Sequence, residues 1–278
     1  MLSGRPIDHV VLAVRDLART AKTYEGLGFK LTPRAFHEDR MGTSNHLAPF
    51  TGRNFIELLE VDRPGKLIPH DFVGQPPFFS FGDHNRLAVS EREGLAMLVF
   101  ATTDARADLA RFEAAGLQVF APVEFERQAR LPDGTVDTAA FTLGFARSPE
   151  MRRIAFFVCE NRAQQFFWKQ EFQTHENGAQ GIKIVYLSSP SPERDGQFIS
   201  RMFGGEIVPI RNGVRVSCGS QQEVQVITPD AVTELDASLT AACTAEPLLA
   251  GIRLVSNAKQ ALITSSDACG MFVELIRE

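Results

Sequence analysis

Tryptophan and tyrosine are scarce in this chain, with one and two copies in 278 residues. The four cysteines, Cys159, Cys218, Cys243 and Cys269, are far apart and form no CxxC pair. That spacing speaks against a structural zinc site and a disulfide framework, and it fits a reducing, cytoplasmic compartment. No apolar run reaches the roughly 18 residues of a membrane span, so no membrane partner is expected. The opening Met-Leu-Ser-Gly-Arg-Pro has no apolar stretch, which predicts no signal peptide. An excess of one charge is also missing. Lys+Arg number 29 against 34 Asp+Glu, net −5, with no basic stripe to hold nucleic acid. There is no GxGxxG, Walker A, HExxH or serine nucleophile elbow, so a nucleotide-dependent enzyme is not expected.

Phenylalanine is abundant instead, with 22 copies in a chain that is 44% hydrophobic. The length suggests two domains, and a repeated pattern organises it. Residues 7–14 read as a strand, Asp16 caps a helix that ends at Gly26-Leu27-Gly28, and Phe29–Leu31, Asn45–Phe50 and Phe55–Val61 read as strands. The pattern recurs with a strand at 95–101, a helix capped by Asp104 and ending at Ala115-Gly116, and strands at 118–120, 138–145 and 154–159. His9 to Gly28 and Met97 to Gly116 both span 19 positions. A third copy covers about 182–228, with its helix at 193–203, and an abbreviated fourth has strands at 249–255, 260–264 and 271–276. Residues 174–181 read as a polar linker, and 229–247 as a connection with a short helix.

The segments Ile7-Asp8-His9-Val10-Val11-Leu12-Ala13-Val14, Tyr24-Glu25-Gly26-Leu27-Gly28-Phe29, Asn45-His46-Leu47 and Phe55-Ile56-Glu57-Leu58-Leu59, with Arg130-Leu131-Pro132-Asp133-Gly134, carry a resemblance. They resemble the vicinal oxygen chelate superfamily, in its glyoxalase-like branch. The likeness is best over about residues 5–160. It implies an α+β fold of paired βαβββ modules whose mixed β-sheets curl into cups. The expected layout is one glyoxalase-like domain at 5–172 (modules 7–61 and 94–160) and a second, abbreviated one at 182–278.

The resemblance further implies a divalent metal ion (Fe, Zn, Mn or Ni) held inside the cup by the first and last strands of each module, with Lewis-acid chemistry on adjacent substrate oxygens. Module 1 supplies His9 and Glu57, both good ligand types. His9 shares its face with the apolar Val11 and Ala13. A histidine buried there needs a partner, and a hydrogen bond to Glu57 or to buried water would serve as well as a metal. Module 2 departs from the pattern. Equal spacing puts Met97 at the His9 position, and aligning Phe55–Glu60 with Ala155–Glu160 puts Phe157 at the Glu57 position; neither suits a hard cation. A third ligand could come from Glu160, Cys159 or His46, depending on register, with Glu160 taken into the metal set. His46 and Glu57 are the candidate catalytic groups, His46 because histidine titrates near neutrality. Asn45, Arg130, Phe157 and Trp168 are the candidate ligand contacts: Arg130 for a carboxylate, Trp168 for stacking. His37, His70, His84 and His175 fall in polar loops and are expected to be exposed.

Two functions follow. One is a metal-dependent lyase, isomerase or dioxygenase acting on a small oxygenated molecule. The other is a metal-free protein of the same fold that binds or sequesters a small apolar molecule. A homodimer is compatible with either.

Overall fold

The computed structural model describes residues 4–130, 136–164, 168–243, 246–258 and 260–277, leaving aside the side chains at 127–130, 136 and 137. The first module runs β1 (Ile7–Val14), α1 (Leu17–Gly26), β2 (Ala35–Phe36), β3 (Ser44–Pro49) and β4 (Phe55–Glu60). Helix α2 (Phe81–Glu91) leads to the second, with β5 (Gly94–Thr102), α3 (Ala105–Ala114), β6 (Gln118–Val119), β7 (Val123–Arg130), β8 (Val136–Arg147) and β9 (Ala155–Asn161). The caps predicted from sequence form alike in both modules. Asp16 Oδ1 accepts from the Arg19 N–H and Asp104 Oδ1 from the Ala107 N–H, each at 2.9 Å.

The remainder runs β10 (Ala179–Ser188), α4 (Pro192–Phe203), β11 (Ile207–Ile210), β12 (Gly213–Ser217), β13 (Glu223–Ile227), α5 (Pro229–Leu235), β14 (Leu248–Ser256), β15 (Ala261–Ile263) and β16 (Phe272–Arg277). Among the described residues, nine strands form one sheet, in the order β2-β3-β4-β1-β5-β9-β8-β6 with β7 on β8. Seven form the other, in the order β11-β12-β13-β10-β14-β16-β15. In each sheet the two modules meet along an antiparallel pair of first strands, β1 with β5 and β10 with β14, while each first strand lies parallel to the last strand of its own module. This is the α+β arrangement of paired modules and curled mixed sheets expected from the sequence.

Alternation along the strands sorts side chains into separate cores. Val10, Leu12, Leu98, Phe100 and Phe156 of the first sheet share one core with Ile182, Leu187, Ile252 and Leu254 of the second, and with α1, α3 and α4. At that seam the Phe100 and Phe203 rings stack with centroids 3.5 Å apart. The opposite face of β1 (Val11, Ala13) joins Met97, Val99, Phe145 and Phe157 inside the first cup. The second cup is filled from within by Val232 of α5 and by Leu239, packed with Ile184, Tyr186 and Phe272.

Three expectations change. Residues 29–31 form no strand. Thr32 N–H does reach the Leu47 carbonyl at 2.9 Å, but Pro33 has no donor, and pairing resumes only where Ala35 faces Asn45. Strand β7 has no counterpart among the strands read from the sequence. The segment at 174–181 is packed rather than a free linker: His175 accepts from the Lys30 N–H at 2.9 Å, and Asn177 donates to the Leu27 carbonyl at 3.0 Å. Gly28 opposite it has φ +86, and a Cβ there would stand 2.9 Å from the Asn177 nitrogen.

Candidate functional site

The polar residues inside the first cup come from adjoining strands. His9 sits on β1 with Val11 and Ala13, as alternation requires. Its ring stacks on Phe55 at a centroid distance of 4.3 Å. Pairing of β1 with β5 slips between Ile7 and His9. At that irregularity Asp8, which strict alternation would turn away, brings its carboxylate 2.5 Å from His9 Nδ1. Nδ1 is therefore occupied, and Nε2 faces Glu57 Oε2 at 3.6 Å.

Glu57 on β4 is only 4% exposed. Asn45 on β3 shares its face and donates from Nδ2 to Glu57 Oε1 at 2.6 Å. A fifth group, His37, directs Nε2 at the same oxygen from 3.7 Å, while its Nδ1 lies 2.9 Å from Thr43 Oγ1. A 3-10 turn at Asp39–Met41 ending on left-handed Gly42 (φ 65) folds the chain so that His37 returns beside Asn45. These groups line one cavity of about 50 Å³, closed elsewhere mainly by phenylalanines, among them Phe81, Phe125 and Phe157. A buried carboxylate flanked by two imidazoles in an apolar enclosure can accept a proton, hold one at a fixed position, or anchor a polar ligand.

The sequence candidates are thus divided. His9, Glu57, Asn45 and Phe157 line the cavity. His46 does not. It neighbours Asn45 on β3 and so turns to the other face, where Nδ1 lies 2.7 Å from the Thr32 carbonyl oxygen. Glu160 does not either. At the end of β9 it accepts from the Ala105 N–H at 3.1 Å and pairs with Arg162 at 3.0 Å, and its neighbours Cys159 and Asn161 face the cavity instead. Trp168 is one layer out, edge-on to Phe55 at 6.3 Å and under the Arg53 guanidinium at 5.4 Å. The Arg130 side chain and the Pro132-Asp133-Gly134 turn lie outside the described residues.

Asp8 and His37 are site residues that the sequence reading does not single out. His37, expected to be exposed in a polar loop, instead has its side chain 9% exposed. With β2 at 35–36, pairing of Ala35 with Asn45 carries His37 to the cavity side. His84 and His175 are also buried rather than exposed, at 6% each.

The described cavity does not match the four-ligand centre that the resemblance implies. Met97 and Phe157 occupy the second-module positions, at 0% and 1% exposure inside an apolar cluster, and Glu160 is turned away. Among the described residues, no group of three or more His, Cys, Asp or Glu is arranged to hold a metal ion.

The profile of the glyoxalase-like domain matches residues 7–202. The chain belongs to the glyoxalase-like domain family. Solved structures extend the likeness at the level of fold. A hypothetical protein from Staphylococcus aureus superposes with TM-score 0.72 at 15% identity, covering 98% of this chain and 99% of its own. A Mn(II)-bound glyoxalase from Novosphingobium aromaticivorans gives TM-score 0.54 at 13% identity, covering 99% and 83%. A triple variant of 4-hydroxymandelate synthase from Streptomyces coelicolor gives 0.50 at 12% identity, covering 91% and 71%. No curated protein sequence matches this glyoxalase-like chain. No helix among the described residues is long and apolar enough to cross a membrane.

Proposed function

We propose that the first cup of this glyoxalase-like protein binds a small oxygenated organic molecule and moves a proton on it without a resident metal. The observation that carries this reading is the buried Glu57 carboxylate, fixed by Asn45 at 2.6 Å and faced by Nε2 of both His9 and His37. Asn45 holds one carboxylate oxygen, and the other is directed along the line to His9. Glu57 takes a proton from a carbon or oxygen of the bound molecule. The imidazoles, whose outer nitrogens are held by Asp8 and Thr43, donate to the oxygen on which negative charge develops. The phenylalanine walls exclude water and raise the strength of each of these interactions. A cavity of about 50 Å³ takes a small molecule or the reactive end of a larger one.

The test pairs metal analysis with solvent-proton exchange. Protein made without a metal-binding tag is incubated with Mn, Fe, Zn and Ni salts, and a panel of small 2-oxo and 2-hydroxy compounds is followed by NMR in D₂O. The expected result is no stoichiometric metal, with exchange into at least one compound that is lost in Glu57→Gln. One equivalent of ion, lost in His9→Ala, would overturn the metal-free reading. Compounds that bind but exchange no proton would leave a sequestering protein and overturn the proton-transfer reading.

A further inference from the structure

A second cavity, of about 360 Å³, opens where α2 and the start of β5 meet the second half of the chain. It is larger than the first and within the usual range for organic ligands. One wall is aromatic: His70 stacks on Phe72 at 4.7 Å and meets Phe79 edge-on at 4.6 Å. Phe79 is shared with the core of the first cup, where it stacks on Phe145 at 4.6 Å.

The lining is also cationic. Arg152 pairs with Glu246 at 2.8 Å, and Arg153 lies between Glu246 at 2.8 Å and Glu91 at 2.9 Å. Arg92 is the third guanidinium, and the two carboxylates are already engaged. Its side chain contacts a neutral acceptor, the Gly270 carbonyl at 2.5 Å, and no carboxylate partner is found for it among the described residues. Burial and the nearby Arg153 both disfavour its charge, the situation an added anion would relieve. The guanidinium lies over Gly94, where a Cβ would stand 2.8 Å from Nη1, so a side chain at that position would displace it. His70 adds a neutral donor. Its Nδ1 accepts from the Ser80 N–H at 3.0 Å, so the ring proton sits on Nε2, for which no acceptor is found among the described residues.

We propose that this seam cavity is a binding site for a monocarboxylate with an apolar body of aromatic size, its carboxylate on Arg92 and its body against Phe72 and Phe79. Among the lining residues, three guanidiniums against two carboxylates leave Arg92 for a carboxylate to neutralise, while Arg147, outside the lining, lies over the Phe72 ring at 4.6 Å. The site is separate from Glu57 and independent of the chemistry assigned to the first cup.

Calorimetric titration of the full chain with benzoate at low salt tests this. The expected result is one saturable site that binds benzoate at least about tenfold more tightly than the uncharged isostere benzamide. Arg92→Gln should weaken benzoate by at least about tenfold, and Glu57→Gln should leave it unchanged. No saturable benzoate binding up to about 10 mM would overturn the proposal. Benzamide or inorganic phosphate binding as tightly as benzoate would also overturn it, the first by removing the charge and the second by removing the aromatic wall. So would benzoate binding that survives Arg92→Gln, or that disappears in Glu57→Gln. The benzamide comparison uses the native chain and does not depend on a variant folding.

Discussion

Asn45 and Glu57 lie on neighbouring antiparallel strands, offset diagonally on one face, with Nδ2 2.6 Å from Oε1. The pair is buried, so the carboxylate depends on the amide for solvation that water would otherwise supply. Asn45→Ala is expected to cost about 1–3 kcal/mol in urea unfolding at neutral pH, the penalty for a buried acceptor left without its donor. Asn45→Asp should cost more, because it sets two carboxylates side by side. Acidification should recover part of that loss as one of them takes a proton. If both variants matched the native midpoint, Glu57 would not be relying on this contact.

The two sheets should unfold together. Phe203 of α4 is 2% exposed and stacks on Phe100 of β5, with Phe112 of α3 edge-on at 6.5 Å. One core therefore spans both halves. Trp168, the single tryptophan, reports from the first half, whereas far-ultraviolet circular dichroism reports from both. Their denaturation curves should coincide in the native chain. Phe203→Ala should lower both by about 3–5 kcal/mol, as for a buried Phe truncated to Ala. Curves that separate in the native chain would show that the seam does not couple the halves.

Stability should fall on mild acidification. Burial pushes the His84 imidazole from 6.5 down to about 4, and His70 and His175 are lowered for the same reason. Above pH 6.5 His84 is neutral in both states and contributes no pH dependence. Between 6.5 and 4 the unfolded chain binds a proton that the folded chain refuses, so unfolding becomes easier as pH drops. The His84 share is about 2 kcal/mol at pH 5, approaching about 3 at pH 4. Urea midpoints at pH 7 and pH 5 measure the slope, and His84→Gln should flatten it. An unchanged slope in that variant would assign the acid sensitivity to other groups.

The fold is legible in the sequence because its signals are local and repeated: β-branched first strands, matched Asp caps, and glycine helix ends at equal spacing. The site is legible where alternation holds. His9 and Glu57 face inward because Val11 and Leu59 do, and Met97 and Phe157 follow from the same register in the second module. It is illegible where the local rule breaks. Asp8 reaches the cup through a slip in strand pairing, and His37 through a 3-10 turn and a left-handed glycine, neither of which has a period to detect. His46 and Glu160 show the cost of a one-residue error, since each is next to a residue that does face the cavity. The arginine cluster of the seam joins residues far apart in sequence, and no motif announces it.

Two glycines separate helix propensity from packing. Gly26 ends α1 with nothing within 4 Å of the point where a Cβ would stand, whereas a Cβ on Gly82 in the first turn of α2 would stand 2.0 Å from the Met41 carbonyl oxygen. Propensity alone favours alanine at both, by up to about 1 kcal/mol. Gly26→Ala should therefore be neutral or stabilising. Gly82→Ala should destabilise by about 1–3 kcal/mol, because α2 must move off the 3-10 turn. That turn sits between His37 and Asn45, and Met41 and Phe81 both line the first cavity, so the same variant should weaken ligand binding there while Gly26→Ala leaves it intact. Thermal melts of both variants, read beside binding of whichever compound exchanges in the native protein, check the pair. Equal stability of the two would mean that α2 has slack against the turn and that the first cup is not shaped by their contact.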